Sequence, residues 1–143
     1  ENYVEKLLYS SNNFIINQIF LYLGAVEYGQ PATLAKAVAA YNNFISKYIK
    51  LDNLSVAEAS GLSRENKISC KEMNFILNLF KDYKNLMRYR YNGKFKTGTL
   101  SGVYSIAGYY DSKKYGEVKI ILFLNQRNNN RNIIAQKLLE YLD

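Results

Sequence analysis

The sequence predicts an α+β domain in which helices pack on an antiparallel sheet. Apolar residues recur at helical spacing through the first half of the 143 residues. From residue 94 short runs rich in Val, Ile, Tyr, Phe and Thr take over, and a helical pattern closes the chain. The shift of hydrophobic period from 3.6 to 2 separates a helical layer from a sheet layer.

Residues 14–23 are apolar around most of a helical circumference, interrupted only by Asn17 and Gln18, so a largely buried helix is expected, with Gly24 as its stop. After Pro31, a natural first-turn residue, Leu34, Val38, Tyr41, Ile45 and Tyr48 mark the inward side of a second helix. A loop is expected over 51–68. Ser69-Cys70-Lys71-Glu72 is a capping box, in which Ser and Glu side chains satisfy amides at a helix start, and Met73, Ile76, Leu77 and Phe80 form the stripe that follows. Strands are expected over 94–100, 103–111 and 117–125, turning at Ser101-Gly102 and 112–116 to give a three-strand meander. Residues 127–132 read as a polar connection. The last helix, 132–142, is expected to turn Ile134, Leu138 and Tyr141 or Leu142 inward.

Composition narrows the chemistry. At 48% hydrophobic and 22% charged the chain is ordinary for a globular domain of this length, and its apolar runs fall short of the roughly 20 residues that span a bilayer. No signal-peptide pattern follows Glu1-Asn2-Tyr3-Val4-Glu5. The single cysteine, Cys70, read as a buried thiol, excludes an internal disulfide, and with no histidine a zinc site lacks ligands. Without histidine, Ser-His-Asp and Cys-His catalysis are excluded within this chain, leaving Lys, Tyr, Asp, Glu or a hydroxyl relay for proton transfer. The net charge of +7 suits an anionic partner, although the richness in Asn, Lys, Tyr and Ile also fits an AT-rich coding sequence.

Three short segments stand out in order. They are Ser11-Asn12-Asn13 before the first apolar helix, Ser60-Gly61-Leu62-Ser63-Arg64-Glu65-Asn66 in the long loop, and Lys96-Thr97-Gly98-Thr99-Leu100 on the first strand. Each has a bland explanation: a helix cap at Ser11, a glycine turn, and an edge strand guarded by a lysine. Their order, with Lys-Thr-Gly opening a meander that ends in a helix, resembles the serine penicillin-binding proteins. The D-alanyl-D-alanine carboxypeptidase/endopeptidase family is the most similar, because residues 58–66 resemble its Asp-Gly-Ser-Gly-Leu-Ser-Arg-x-Asn. The resemblance runs from about Tyr9 to the end and implies the C-terminal part of a β-lactamase/transpeptidase-like domain, as a single domain.

That resemblance implies an acyl-enzyme hydrolase acting on peptidoglycan stem peptides, acylated by β-lactams, needing no metal or other cofactor, and working in the periplasm or cell envelope. Ser11 would relay a proton to the leaving amine and Asn13 would bind a substrate amide. Lys96 would bring positive charge to the terminal carboxylate and oxyanion, while Thr97 and Thr99 would hydrogen-bond that carboxylate. Gly98 would let the peptide approach the strand, and the Thr99 amide would serve as one oxyanion donor. Leu62, Arg64, Leu100 and Ser101 would line the pocket for the penultimate side chain, Arg64 alternatively pairing with Glu58 or Glu65.

Departures are equally plain. No Ser-x-x-Lys occurs; Thr33-Leu34-Ala35-Lys36 is nearest, but it follows Ser-x-Asn and reads as coincidence. The expectation is therefore a piece of a longer protein, inactive alone, whose missing N-terminal segment supplies the nucleophile and pairs with strand 117–125; isolated, that strand would drive self-association. Glu58-Ala59 replaces Asp-Gly, and the stretch 84–96 is short. Two rival readings remain: a catalytically dead peptidoglycan- or partner-binding domain, and a single-stranded nucleic-acid binder using the alternating cations and aromatics of 88–96, although no nucleic acid is expected.

Overall fold

A computed structural model describes residues 3–48 and 54–143. The chain divides into two compact units, Ser10–Glu72 and Met73–Asp143, the latter joined by the N-terminal segment up to Tyr9. That segment holds helix α1, Tyr3–Ser10, which buries Leu7. Part of the expected 51–68 loop, residues 51–53, lies outside the described residues.

In the Ser10–Glu72 unit, helix α2 spans Asn13–Tyr28 and α3 spans Leu34–Ser46. The cap of α2 is Asn12 rather than Ser11: the Asn12 side chain accepts from the Ile15 amide at 3.0 Å, while Ser11 turns the chain at φ 53°. Gly24 does not stop the helix. It is buried inside α2, where a Cβ would come within 2.4 Å of the Ala37 nitrogen of α3, so the missing side chain permits close helix contact. The stop is Gly29 at φ 76°, whose amide donates to the Ala25 carbonyl. Nor is α2 largely buried in its unit, for Phe14, Tyr22 and Val26 are exposed. Thr33 caps α3, and Lys36 donates to the carbonyls of Gly29 and Pro31 at 2.8 and 3.1 Å, a structural use that fits Thr33-x-x-Lys36 being coincidental. Ala37 and Ile45 are the buried residues of α3, and Tyr41 meets Phe20 edge-on at 6.3 Å, while Leu34 and Tyr48 are exposed.

Helix α4, Cys70–Phe80, begins with the expected capping box: the Ser69 amide donates to Glu72 at 2.8 Å and the Glu72 amide to the Ser69 hydroxyl at 3.4 Å. Cys70, at its first position, is exposed. A 3₁₀ turn, Lys81–Leu86, leads into the sheet.

The sheet has four antiparallel strands in chain order, β1 Tyr89–Arg90, β2 Gly93–Leu100, β3 Val103–Ser112 and β4 Gly116–Asn125. The expected meander is β2–β4, and β1 is an addition too short to show a period. On one face Phe95, Ile106, Tyr110 and Ile120 pack against Ala135 and Leu139 of α5, Arg131–Leu142. Phe95 and Ile106 are fully buried, each contributing roughly 1.5–3 kcal/mol. On the other face Ala107 and Tyr109 pack with Leu77 and Met87, with Met73 and Phe80 alongside. The Tyr109 hydroxyl donates to the Leu77 carbonyl. The inward face of α5 is Arg131, Ala135 and Leu139, not Ile134, Leu138 and Tyr141, which are exposed; of the expected set only Leu142 packs on the core. The rotation follows from Arg131, whose side chain is drawn onto the sheet.

Substituting Gly24→Ala should destabilise the α2–α3 pair by roughly 1–3 kcal/mol through overpacking, read as a lowered urea midpoint, because the clash is with backbone that cannot rotate away. An unchanged midpoint would refute the close-contact role.

Candidate active site

Strand β2 carries the Lys-Thr-Gly-Thr segment. Its register with β3 pairs Lys96 with Ala107, Thr97 with Ile106, Gly98 with Ser105 and Thr99 with Tyr104. Alternation puts Lys96 on the face of Ala107, and Thr97 and Thr99 on the face of Phe95 and α5. On its other edge β2 has β1 beside it only at Gly93 and Lys94, and among the described residues no strand flanks Lys96 to Leu100. An extended peptide can add to such an edge through main-chain hydrogen bonds. A Cβ on Gly98 would come within 2.5 Å of the Ser105 hydroxyl, so this position stays narrow.

Lys96 is half-buried. Burial first, and the Arg90 charge second, lower its pKa from the usual lysine value. The Thr97 hydroxyl accepts from Arg90 Nη1 at 3.3 Å, and the Thr99 hydroxyl from Arg131 Nη1 at 3.0 Å. Arg131, itself buried, also donates from Nη1 to the Gly98 carbonyl at 2.8 Å and, more weakly, to the Ser105 carbonyl at 3.4 Å. Leu100 ends the strand and Ser101 occupies the turn, with Gly102 at φ 76°. The other cations of this stretch are used internally: Arg88 lies over the Tyr9 ring at 4.6 Å and Lys94 over the Tyr89 ring at 5.6 Å.

Ser11 and Asn13 stand exposed at the start of α2. Asn17, one turn beyond Asn13 on the same helix face, reaches the loop that holds Leu62 and Arg64. Its side chain accepts from the Ala59 amide at 2.9 Å and donates to Glu58 at 3.2 Å. Glu58 organises that loop. Oε1 accepts from the Gly61 and Ser63 amides at 2.8 and 3.1 Å and from Asn66 at 2.7 Å. Oε2 accepts from the Ser60 amide at 2.8 Å and from the Ser60 hydroxyl. Asn66 accepts in turn from the Ala57 amide at 2.7 Å, and a bridge between Ser55 and Lys67 closes the base. The loop also supplies most of the lining of a cavity of about 390 Å³, whose opposite wall is made by apolar residues of α2, among them Ile19 and Phe20, with Tyr41 of α3. Thus the expected site residues fall into two groups, Lys96 to Ser101 on β2 and its turn, and Ser11 and Asn13 on the helix that anchors the Leu62–Arg64 loop. Among the described residues no cluster of three or more His, Cys, Asp or Glu could hold a metal ion.

Residues 1–92 match the D-Ala-D-Ala carboxypeptidase 3 (S13) family. The chain belongs to this family. Like its S13 relatives it combines helices with an antiparallel sheet. It is 26% identical, over 147 aligned positions, to the D-alanyl-D-alanine carboxypeptidase DacB of Haemophilus influenzae, covering 85% of this chain and 31% of that protein. Penicillin-binding protein 4 (dacB) of the same organism, solved in complex with a β-lactam, shares the fold at a TM-score of 0.85 and 21% identity over 97% of this chain and 40% of that one. A predatory endopeptidase of Bdellovibrio bacteriovorus, solved with an immunity protein, shares it at 0.73 and 16% identity over 97% of this chain and 42% of its own. The S13 chain therefore spans about a third of its curated relative's length.

Reading the sequence did not find Arg131 or the work of Asn17 and Glu58. Asn17 left a signal, a polar break in an apolar helix. Arg131 left none, for it stands among the similar polar residues 127–132.

Burial pushes the Glu58 carboxyl up, but donation from the Ser60 hydroxyl, the Ser63 and Ser60 amides and Asn17 outweighs it and holds the pKa at about 2. A carboxyl depressed on folding contributes stability above its unfolded value, and that contribution is lost as pH falls toward the folded one. Stability should therefore decline from pH about 4.5 to about 2, and Glu58→Gln, which turns an amide against the donors, should cost roughly 1–3 kcal/mol at neutral pH and flatten the acid decline. Identical acid denaturation curves for the two proteins would refute this.

Proposed function

We propose that this chain supplies the Ser-x-Asn and Lys-Thr-Gly machinery of a serine-type D-Ala-D-Ala carboxypeptidase/endopeptidase acting on peptidoglycan stem peptides. The observation that carries the proposal is β2: an unflanked strand edge bearing a half-buried lysine and two threonines beside guanidinium groups. An anionic peptide terminus fits such an edge. Membership of the S13 family supports the choice of reaction.

In this reading Lys96 places positive charge beside the substrate carboxylate and the developing oxyanion, Thr97 and Thr99 hydrogen-bond the carboxylate, and the Thr99 amide is one oxyanion donor. Ser11 relays the proton to the leaving amine, and Asn13 binds a substrate amide. Leu62, Arg64, Leu100 and Ser101 line the pocket for the penultimate side chain. The 143 residues contain no Ser-x-x-Lys, so another segment of the same domain provides the nucleophile and the chain alone is inactive. The protein works in the periplasm or envelope, where its substrate lies, and β-lactams acylate it.

A longer protein that joins these residues to a Ser-x-x-Lys segment should be labelled by fluorescent penicillin. Lys96→Ala should slow acylation on the order of 10²–10³-fold at unchanged melting temperature, and the 143-residue chain alone should stay unlabelled. Acylation at the wild-type rate in the variant would overturn the proposal.

Among the described residues no strand pairs with the outer edge of β4, and an uncovered edge invites pairing with another copy. The isolated chain should therefore self-associate through Gly116–Asn125, seen as a concentration-dependent sedimentation coefficient. A strictly monomeric profile at high concentration would count against it.

A further inference from the structure

We propose that Arg90 and Arg131 are positioning residues that turn the Thr97 and Thr99 hydroxyls into outward hydrogen-bond donors, making the strand selective for peptides ending in a free carboxylate. The inference rests on the carboxypeptidase reading and assigns its specificity to two side chains outside the family motifs quoted above.

A threonine hydroxyl offers one donor and two acceptor sites, and its hydrogen rotates to suit the surroundings. Here one acceptor site of each hydroxyl is occupied by a guanidinium nitrogen, at 3.3 Å for Thr97 and 3.0 Å for Thr99. A guanidinium has no acceptor, so neither hydroxyl can direct its hydrogen there, and the adjacent positive charge repels that hydrogen as well. Both O–H groups therefore point away from the arginines. Thr97 and Thr99 are two apart on one strand and share a face, so the donors are presented side by side. Thr99 is exposed, whereas Arg131 behind it is buried.

The charges are not cancelled locally. Among the described residues neither guanidinium forms an ion pair with a carboxylate. Arg90 Nε is buried without a hydrogen-bond partner. Arg131 is fixed by its bonds to the Gly98 and Ser105 carbonyls and by Nε donation to Asn132 at 3.3 Å, so it cannot swing out to bind a ligand itself. It acts through Thr99. A carboxylate, which only accepts, suits two outward donors; a terminal carboxamide presents an NH₂ group to one of them.

The test uses the full-length protein and two peptides that differ only in ending as a D-alanine carboxylate or its carboxamide. Arg131→Gln should lower kcat/KM for the carboxylate about 10- to 100-fold while changing the carboxamide by less than about threefold, narrowing the ratio between them. In a Thr99→Val background the same substitution should leave the ratio unmoved, because the hydroxyl it acts through is gone. Equal losses on both peptides, or an undiminished shift in the Thr99→Val background, would overturn the inference. Should Arg131→Gln not fold, Arg90→Gln reads the same ratio through Thr97, and an unchanged ratio there overturns it too. A wild-type protein inert toward both peptides and unlabelled by penicillin would instead overturn the carboxypeptidase reading beneath it.

Discussion

The packing of Phe95 is the constraint on which the sheet's chemistry depends. Its ring crosses Gly108, where a Cβ would sit 2.7 Å from it, and is covered by Ala135 and Leu139. That contact leaves β2 one register against β3. A slip of one residue would bury Lys96 beneath α5 and turn the threonines toward Leu77 and Met87. Hydrophobic burial thus decides which polar groups meet which partners, and the arginines act on an arrangement already set by an apolar side chain.

A different logic governs the Ser10–Glu72 unit. There a single carboxylate, rather than an apolar core, orders the loop. Glu58 collects donors from its own turn, from Asn66 at the loop's far end and from Asn17 on α2. A half-buried anion is costly unless its lone pairs are satisfied, and here they are, which turns a desolvation cost into geometric specificity. The longer side chain of Glu, where the family pattern has Asp, still reaches this set of amides.

Much of the layout was legible in the sequence. Strand periodicity located β2–β4 to within a residue or two, and the Ser69–Glu72 box marked the start of α4, because both signals are local. The misjudgements share a cause. Gly24 looked like a helix stop because glycine is a common one, yet its role is set by Ala37 on another helix. The face of α5 was misread by one position because Ile134, Leu138 and Tyr141 make a good stripe, while the real face is chosen by Arg131 reaching strands far away in sequence. The roles of Glu58 and Arg131 depend on partners the chain brings together only by folding. The Lys-Thr-Gly and Ser-x-Asn strings were visible, but the guanidiniums behind the threonines were not.

Glu58 grips main-chain amides at Gly61 and Ser63, not the side chain of Leu62 between them. The contour of the loop is therefore indifferent to what residue 62 displays. Side chains there can be exchanged over generations without refolding the loop, so the face displayed at that position can drift while the scaffold beneath it holds still.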